Sequence, residues 1–191
     1  RLQPFAEQVA SKFAPLGGAT VPVTRARLAD FDSVYSAHFA SYGAIPATLQ
    51  HAPGTTVMLS VTWLTAPQLV RMHEFEVTSE NYSFGELSGL RLETAGRVLE
   101  RVFAYISRRG CLTDAGRPVA LAEVAAEERR WPAFTQEKML GRARDRLAPH
   151  HALDDFLGAA IARKKTRASL TKALASEARP FAFLAFRPIA V

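Results

Sequence analysis

The sequence predicts an α+β protein, and three observations carry that reading. Strand-like alternation dominates the first half of the chain and is clearest where Val57, Leu59, Val61 and Trp63 alternate with Met58, Ser60 and Thr62. Helical periodicity dominates from residue 119 onward. Strands and helices therefore come in blocks rather than in turn, the pattern of α+β folds rather than of alternating α/β ones.

In chain order, residues 2–14 read as a short helix, broken by the Pro15–Gly18 stretch. Residues 21–28 alternate and read as a strand, and residues 34–39 as another, followed by a turn at Tyr42-Gly43. Residues 44–49 and 55–64 read as two strands joined by a Pro53-Gly54 turn. A helix follows. Thr65 is a good N-cap, Gln68 completes a capping box, and Pro67 falls in the first turn, where a missing N–H costs nothing. Residues 83–92 and 97–106 form a hairpin through Glu93-Thr94-Ala95-Gly96, and residues 108–118 a loop rich in Arg and Gly. Three helices are expected beyond it, over residues 119–129, 135–147 and 153–176, with Thr135 capping the second. Pro180 ends the last helix, and residues 181–186 suit a final strand.

The chain has 191 residues, 48% of them hydrophobic and 22% charged, which fits one globular domain with an appendage. No apolar run is long enough to span a bilayer and no secretory signal is visible. The lone cysteine, Cys111, excludes an internal disulfide framework and cysteine zinc sites, and a reducing cytoplasm is the expected location. The net charge of +6 suits nucleic acid or an acidic surface, and suits plain solubility equally. The first residue is Arg1, so translation is expected to begin upstream.

One carboxylate stands out. On the helix that begins after Thr65, Leu69 and Met72 define an apolar stripe, and Glu76 projects between them while Arg71 and Glu74 face the opposite side. Three explanations are open: the helix frays before Glu76, Glu76 pairs with an arginine such as Arg27, Arg97 or Arg101, or Glu76 lies on the rim of a cavity. In the last case partial burial would push its pKa toward neutrality and make it a better proton shuttle.

Several segments resemble the γ-glutamylcyclotransferases, in the family's order. Ala26-Arg27-Leu28-Ala29-Asp30-Phe31 is similar to the strand after the family's first helix. Gly43-Ala44-Ile45-Pro46-Ala47-Thr48-Leu49 with Ala52-Pro53-Gly54 and residues 56–63 is similar to the central hairpin. Residues 69–76 resemble the helix ending in the family's leucine-aspartate, two residues, glutamate motif, and Asn81-Tyr82 the tyrosine after it. Residues 102–106 and Gln136-Glu137-Lys138 resemble a later strand and helix, so the likeness covers roughly residues 23–145. The family's aspartate is replaced by His73. Its opening tyrosine-glycine-serine turn has no counterpart here, since Tyr42-Gly43 belongs to the hairpin, and would lie just before Arg1.

The resemblance implies a small mixed or antiparallel β-barrel with flanking helices over residues 1–148, and a helix-and-strand extension packed on it over residues 149–191. It implies intramolecular aminolysis of a γ-glutamyl amide to 5-oxoproline and a free amine or amino acid. Glu76 would be the general acid/base, Tyr82 and His73 would border the substrate, and backbone N–H groups of the upstream turn would hold the oxyanion. No cofactor, metal or covalent nucleophile is required. Glutathione, γ-glutamyl dipeptides and γ-glutamyl amines all remain open as substrates, and a homodimer is compatible.

The remaining candidates are weaker. His73 reads first as a partly exposed helix residue. His150-His151 does not make a metal site alone, and Ser36, Ser60 and Thr62 have no nucleophile motif around them. The rival function is binding without chemistry, with Arg163, Lys164, Lys165, Arg167 and Lys172 contacting nucleic acid or an acidic partner. Those residues read first as a solvated helix face, which makes nucleic acid the less expected partner.

Overall fold

The structure, a computed structural model, describes residues 12–13, 21–76, 81–176, 178–180 and 186–190. The helix expected over residues 2–14 lies outside the described residues except for Lys12 and Phe13, which are helical.

The protein is α+β with a mostly antiparallel sheet. Its centre is β1 (Val23–Tyr35), paired along its length with β2 (Ala47–Thr62), from Val23 opposite Thr62 to Tyr35 opposite Ala47. Residues 21–28 and 34–39 thus contribute to one strand rather than two. The first half of β1 buries Ala26 and Leu28 and exposes Arg25 and Arg27. From Phe31 to Tyr35 every residue is buried, because helices and a further strand cover the second face.

Pro53-Gly54 does not end a strand. β2 runs through it, and four residues (52–55) of β2 face Asp30 alone where the register shifts. The left-handed backbone of Gly54 and Asp30 makes this bulge, and the Gly54 N–H donates to Asp30 Oδ1 at 2.8 Å. The expected turn is a bulge instead, because the ladder to β1 continues on both sides of it.

Helix α1 (Ala66–Glu76) forms as its capping box dictates: Thr65 N–H donates to Gln68 Oε1 at 2.9 Å and Gln68 N–H to Thr65 Oγ1 at 3.4 Å. β3 (Tyr82–Thr94) and β4 (Arg97–Ser107) then form the expected hairpin, turning at Ala95-Gly96. The end of β3 pairs with β1 at Ala26–Leu28. Within the Arg- and Gly-rich loop, β5 (Thr113–Asp114) and β6 (Arg117–Pro118) make a small hairpin over Ala115-Gly116, both at positive φ.

The helix expected over residues 119–129 is absent. Val119, Ala120 and Leu121 are buried in succession, which no single helix face can do, and β7 (Ala120–Leu121) pairs with Val34 of β1. β8 (Ala126–Glu127) pairs with Thr56-Val57 of β2, and β9 (Ala133–Phe134) runs parallel to β7. Available sheet edges outweighed the helix propensity of Ala and Glu.

α2 (Gln136–Leu147) follows its Thr135 cap, whose hydroxyl accepts from Lys138 N–H at 3.2 Å. The long helix expected over residues 153–176 is two: α3 (Leu153–Ala162) and α4 (Lys164–Ala175), broken at an extended Arg163. Arg167 closes the break by donating to the carbonyls of Ala160 and Ile161 at 3.0 and 3.1 Å. No Gly or Pro marks this position. Of the strand expected over 181–186 only Phe186 is described; β10 (Phe186–Pro188) pairs with Gly85–Leu87 of β3.

The sheet curls around Leu28, Phe31, Val57 and Leu92, with Leu49, Leu59, Leu99 and Val102 closing that core. Among the described residues the ladder does not close on itself, so the expected barrel is an open, curled sheet. A second core joins Tyr35, Phe39 and Ile45 to Leu140 of α2, Phe156 of α3 and Leu174 of α4. A third packs Met72 of α1 against Phe13, Leu64 and Tyr105. No helix among the described residues is long and apolar enough to cross a membrane.

Candidate functional site

Between α1, the start of β3, the Phe39–Pro46 segment and the C-terminal helices lies an open cleft of about 2120 Å³. Glu76, Tyr82, Tyr42 and His38 line it, together with Lys12, Arg109 and one face of α4.

Helix α1 sets Glu76. Gln68, Met72 and Glu76 follow one another at four-residue spacing down its inner face, with Gln68 and Met72 buried. The helix reaches Glu76 without fraying. Among the described residues Glu76 pairs with none of the three arginines expected but with Lys12, each side chain about one-quarter exposed. Arg27 instead pairs with Glu127, and Arg101 forks onto Glu86 at 2.9 and 3.2 Å, which draws the Glu86 carboxyl below its usual range.

Three tyrosines stand in the field of Glu76. Tyr82 is buried, its hydroxyl donating to the carbonyl of Ala47 at 3.0 Å. Burial first, and the charges of Glu76 and Tyr42 next, push its pKa well up. Tyr105 rises through burial and then Glu76. Tyr42 rises too, first through the protein packed about its hydroxyl and then through Glu76, although 68% of the residue is open to solvent. All three hydroxyls therefore stay protonated and able to donate near a carboxylate.

His73 is not among the cleft-lining residues. It turns to the third core, where Nδ1 lies 2.8 Å from the Tyr105 hydroxyl and the ring meets the edge of Phe84 at 4.6 Å. Its pKa is lowered by burial. His150 and His151 are exposed in the turn between α2 and α3. Among the described residues no group of His, Cys, Asp or Glu is placed to hold a metal ion.

The basic C-terminal cluster divides. Lys164, Arg167 and Lys172 line the cleft with Ala168 and Thr171, one face of α4 at helical spacing, while Arg163 and Lys165 do not. Thr171 anchors this face by accepting the Phe39 N–H at 3.1 Å.

The residue that sequence reasoning passed over is His38. The sequence reads it as part of a strand over residues 34–39, but β1 ends at Tyr35 and His38 lies on the irregular stretch after it, and no motif surrounds it. It is only 3% exposed, its Nδ1 is 2.8 Å from Ser36 Oγ, and its ring meets Tyr82 edge-on at 5.2 Å. Burial, aided by the nearby Arg109 charge, lowers its pKa to about 4.

Comparison of the chain with protein-family models, with curated proteins and with solved structures returned no match in any of the three.

Proposed function

We propose that this cleft carries out intramolecular aminolysis of a γ-glutamyl amide, releasing 5-oxoproline and a free amine or amino acid, with Glu76 as the proton-transfer group. The observation that carries the reading is the Glu76 carboxylate itself. It sits on the inner face of α1, opens on the cleft, and already holds an ammonium, that of Lys12, among tyrosine hydroxyls. A site that partners a lysine ammonium is chemically suited to partner the α-ammonium of a γ-glutamyl substrate.

In the proposed reaction the α-ammonium displaces Lys12 and gives one proton to Glu76. The freed amine attacks the γ-carbonyl carbon, forming the ring C–N bond. The attacking nitrogen sheds a second proton to water as the tetrahedral carbon collapses, and the original amide C–N bond breaks. The leaving nitrogen receives one proton from Glu76 as it departs and a second on reaching water, so two protons leave the α-nitrogen and two arrive on the leaving amine. Because the attack is intramolecular, the protein's main task is to fold the substrate. Tyr42, with a protonated hydroxyl on the cleft wall, supplies a donor for the developing oxyanion.

The test is release of 5-oxoproline from γ-glutamyl dipeptides and γ-glutamyl amines, repeated with Glu76→Gln. Turnover by the natural chain that disappears in the variant supports the reading. Full activity in the variant overturns the role of Glu76, and no release from any of these substrates overturns the reaction.

A further inference from the structure

His38 ends a chain of hydroxyls beneath the cleft. The Ser36 hydroxyl donates to Ser107 Oγ at 2.7 Å, and Ser107 Oγ also accepts the backbone N–H of Arg109 at 3.1 Å. Ser36 Oγ has Ser107 and Tyr82 as further hydroxyl partners for its one proton, an arrangement that suits Ser36 as an acceptor from His38 Nδ1–H, the tautomer in which Nε2 keeps its lone pair. The His38 N–H, held by the Ser36 carbonyl at 2.9 Å, fixes the backbone under the ring.

Nothing among the described residues pairs with Nε2, and the one side-chain polar atom among them that is sealed from solvent without a partner is Arg144 Nε. The lone pair of Nε2 therefore opens on the cleft that His38 lines. The groups facing the ring are Ser36 and Ser107 below it, Tyr82 at its edge and the charge of Arg109. Tyr82 also feels the charge of Glu76, so one tyrosine borders both groups. The low pKa of His38 keeps the ring neutral across the physiological range, as an acceptor must be.

We propose that His38 Nε2 is a ligand-binding acceptor: it receives an N–H of a primary ammonium whose charge is met by Glu76. The identity of that ammonium, the α-amine of a γ-glutamyl compound, rests on the function proposed above. The two groups divide the work. Glu76 supplies charge and takes the proton, and His38 fixes direction, so that the lone pair released on deprotonation points at the γ-carbonyl.

The experiment uses the full natural chain with ¹⁵N-labelled histidine, cooled and with the probe in large excess so that each spectrum is taken before the probe is consumed. The probes are γ-glutamylglycine and glutarylglycine, which lacks only the α-amine. The expected result is an Nδ1–H tautomer in the free protein and a shift of the His38 Nε2 resonance with γ-glutamylglycine alone. In otherwise natural protein, His38→Ala should raise KM about tenfold with a smaller change in kcat, and His38→Gln, whose amide oxygen reaches the Nε2 position, should recover most of that loss. An Nε2 resonance unmoved by γ-glutamylglycine, or moved equally by both probes, overturns the role of His38. If the natural chain releases 5-oxoproline in that case, the reaction stands without it.

Discussion

The ammonium of Lys12 is paired with the carboxylate of Glu76, across 64 positions of sequence and on the wall of the cleft. Lys12 also approaches Met72 Sδ at 3.8 Å and lies 5.9 Å from the Phe75 ring centroid, so the pair is embedded in the end of α1. If a substrate ammonium takes the place of Lys12, the two partners of this pair should behave oppositely when each is removed. Glu76→Gln should abolish 5-oxoproline release, by at least about a hundredfold, while changing stability by no more than about 1 kcal/mol. Lys12→Met should retain turnover and lower KM, because the competing ammonium is gone. Steady-state kinetics and thermal melts on the two variants check this, and a Lys12 variant as inactive as Glu76→Gln would count against displacement.

On the same helix, Met72 and Leu69 should separate. The sequence reads both as core, but Met72 is buried against Phe13 while Leu69 is half-buried. Met72→Ala should cost about 2–3 kcal/mol and Leu69→Ala about 1 kcal/mol or less. Urea unfolding gives both values directly, and equal losses would contradict the packing.

Arg129 should matter to stability far more than its surroundings in sequence suggest. It forks onto Asp32, which is fully buried, at 2.9 and 3.0 Å, and donates to the Val124 carbonyl at 2.7 Å. Arg129→Met would strand a buried carboxylate and should cost about 3–5 kcal/mol. Adding Asp32→Leu to that variant should recover much of the loss. A double-mutant cycle in chemical denaturation measures it, and strictly additive losses would refute the pairing.

His38 gives the protein an acid sensitivity. Its pKa is about 4 when folded against an ordinary 6.5, so below pH 6.5 the unfolded chain binds a proton that the folded protein refuses. Stability should therefore be intact above pH 6.5 and fall as pH drops from 6.5 to 4, with a total loss on the order of 3 kcal/mol. His38→Gln should flatten this part of the stability-against-pH curve relative to the natural chain.

What the sequence determined by itself is what neighbouring residues decide. The capping box of Thr65 and Gln68, the Thr135 cap, the β3–β4 hairpin, the Tyr42-Gly43 turn and the strands-then-helices order all depend on groups a few positions apart, and the structure contains each of them. Periodicity on α1 likewise separated Glu76 from Glu74, since both lie on one regular helix. What only the tertiary structure decided is which distant groups meet. Residues 119–129 became strands because the edges of β1 and β2 were open to them, and Pro53-Gly54 became a bulge because β1 continued opposite it. Lys12 reached Glu76, and Ser107 reached Ser36 beneath His38, across 64 and 71 positions. Such contacts leave no periodic trace, because the side chains that make them belong to segments whose local patterns are independent. Their energies arise only when the sheet and helices have packed and water has been excluded between them.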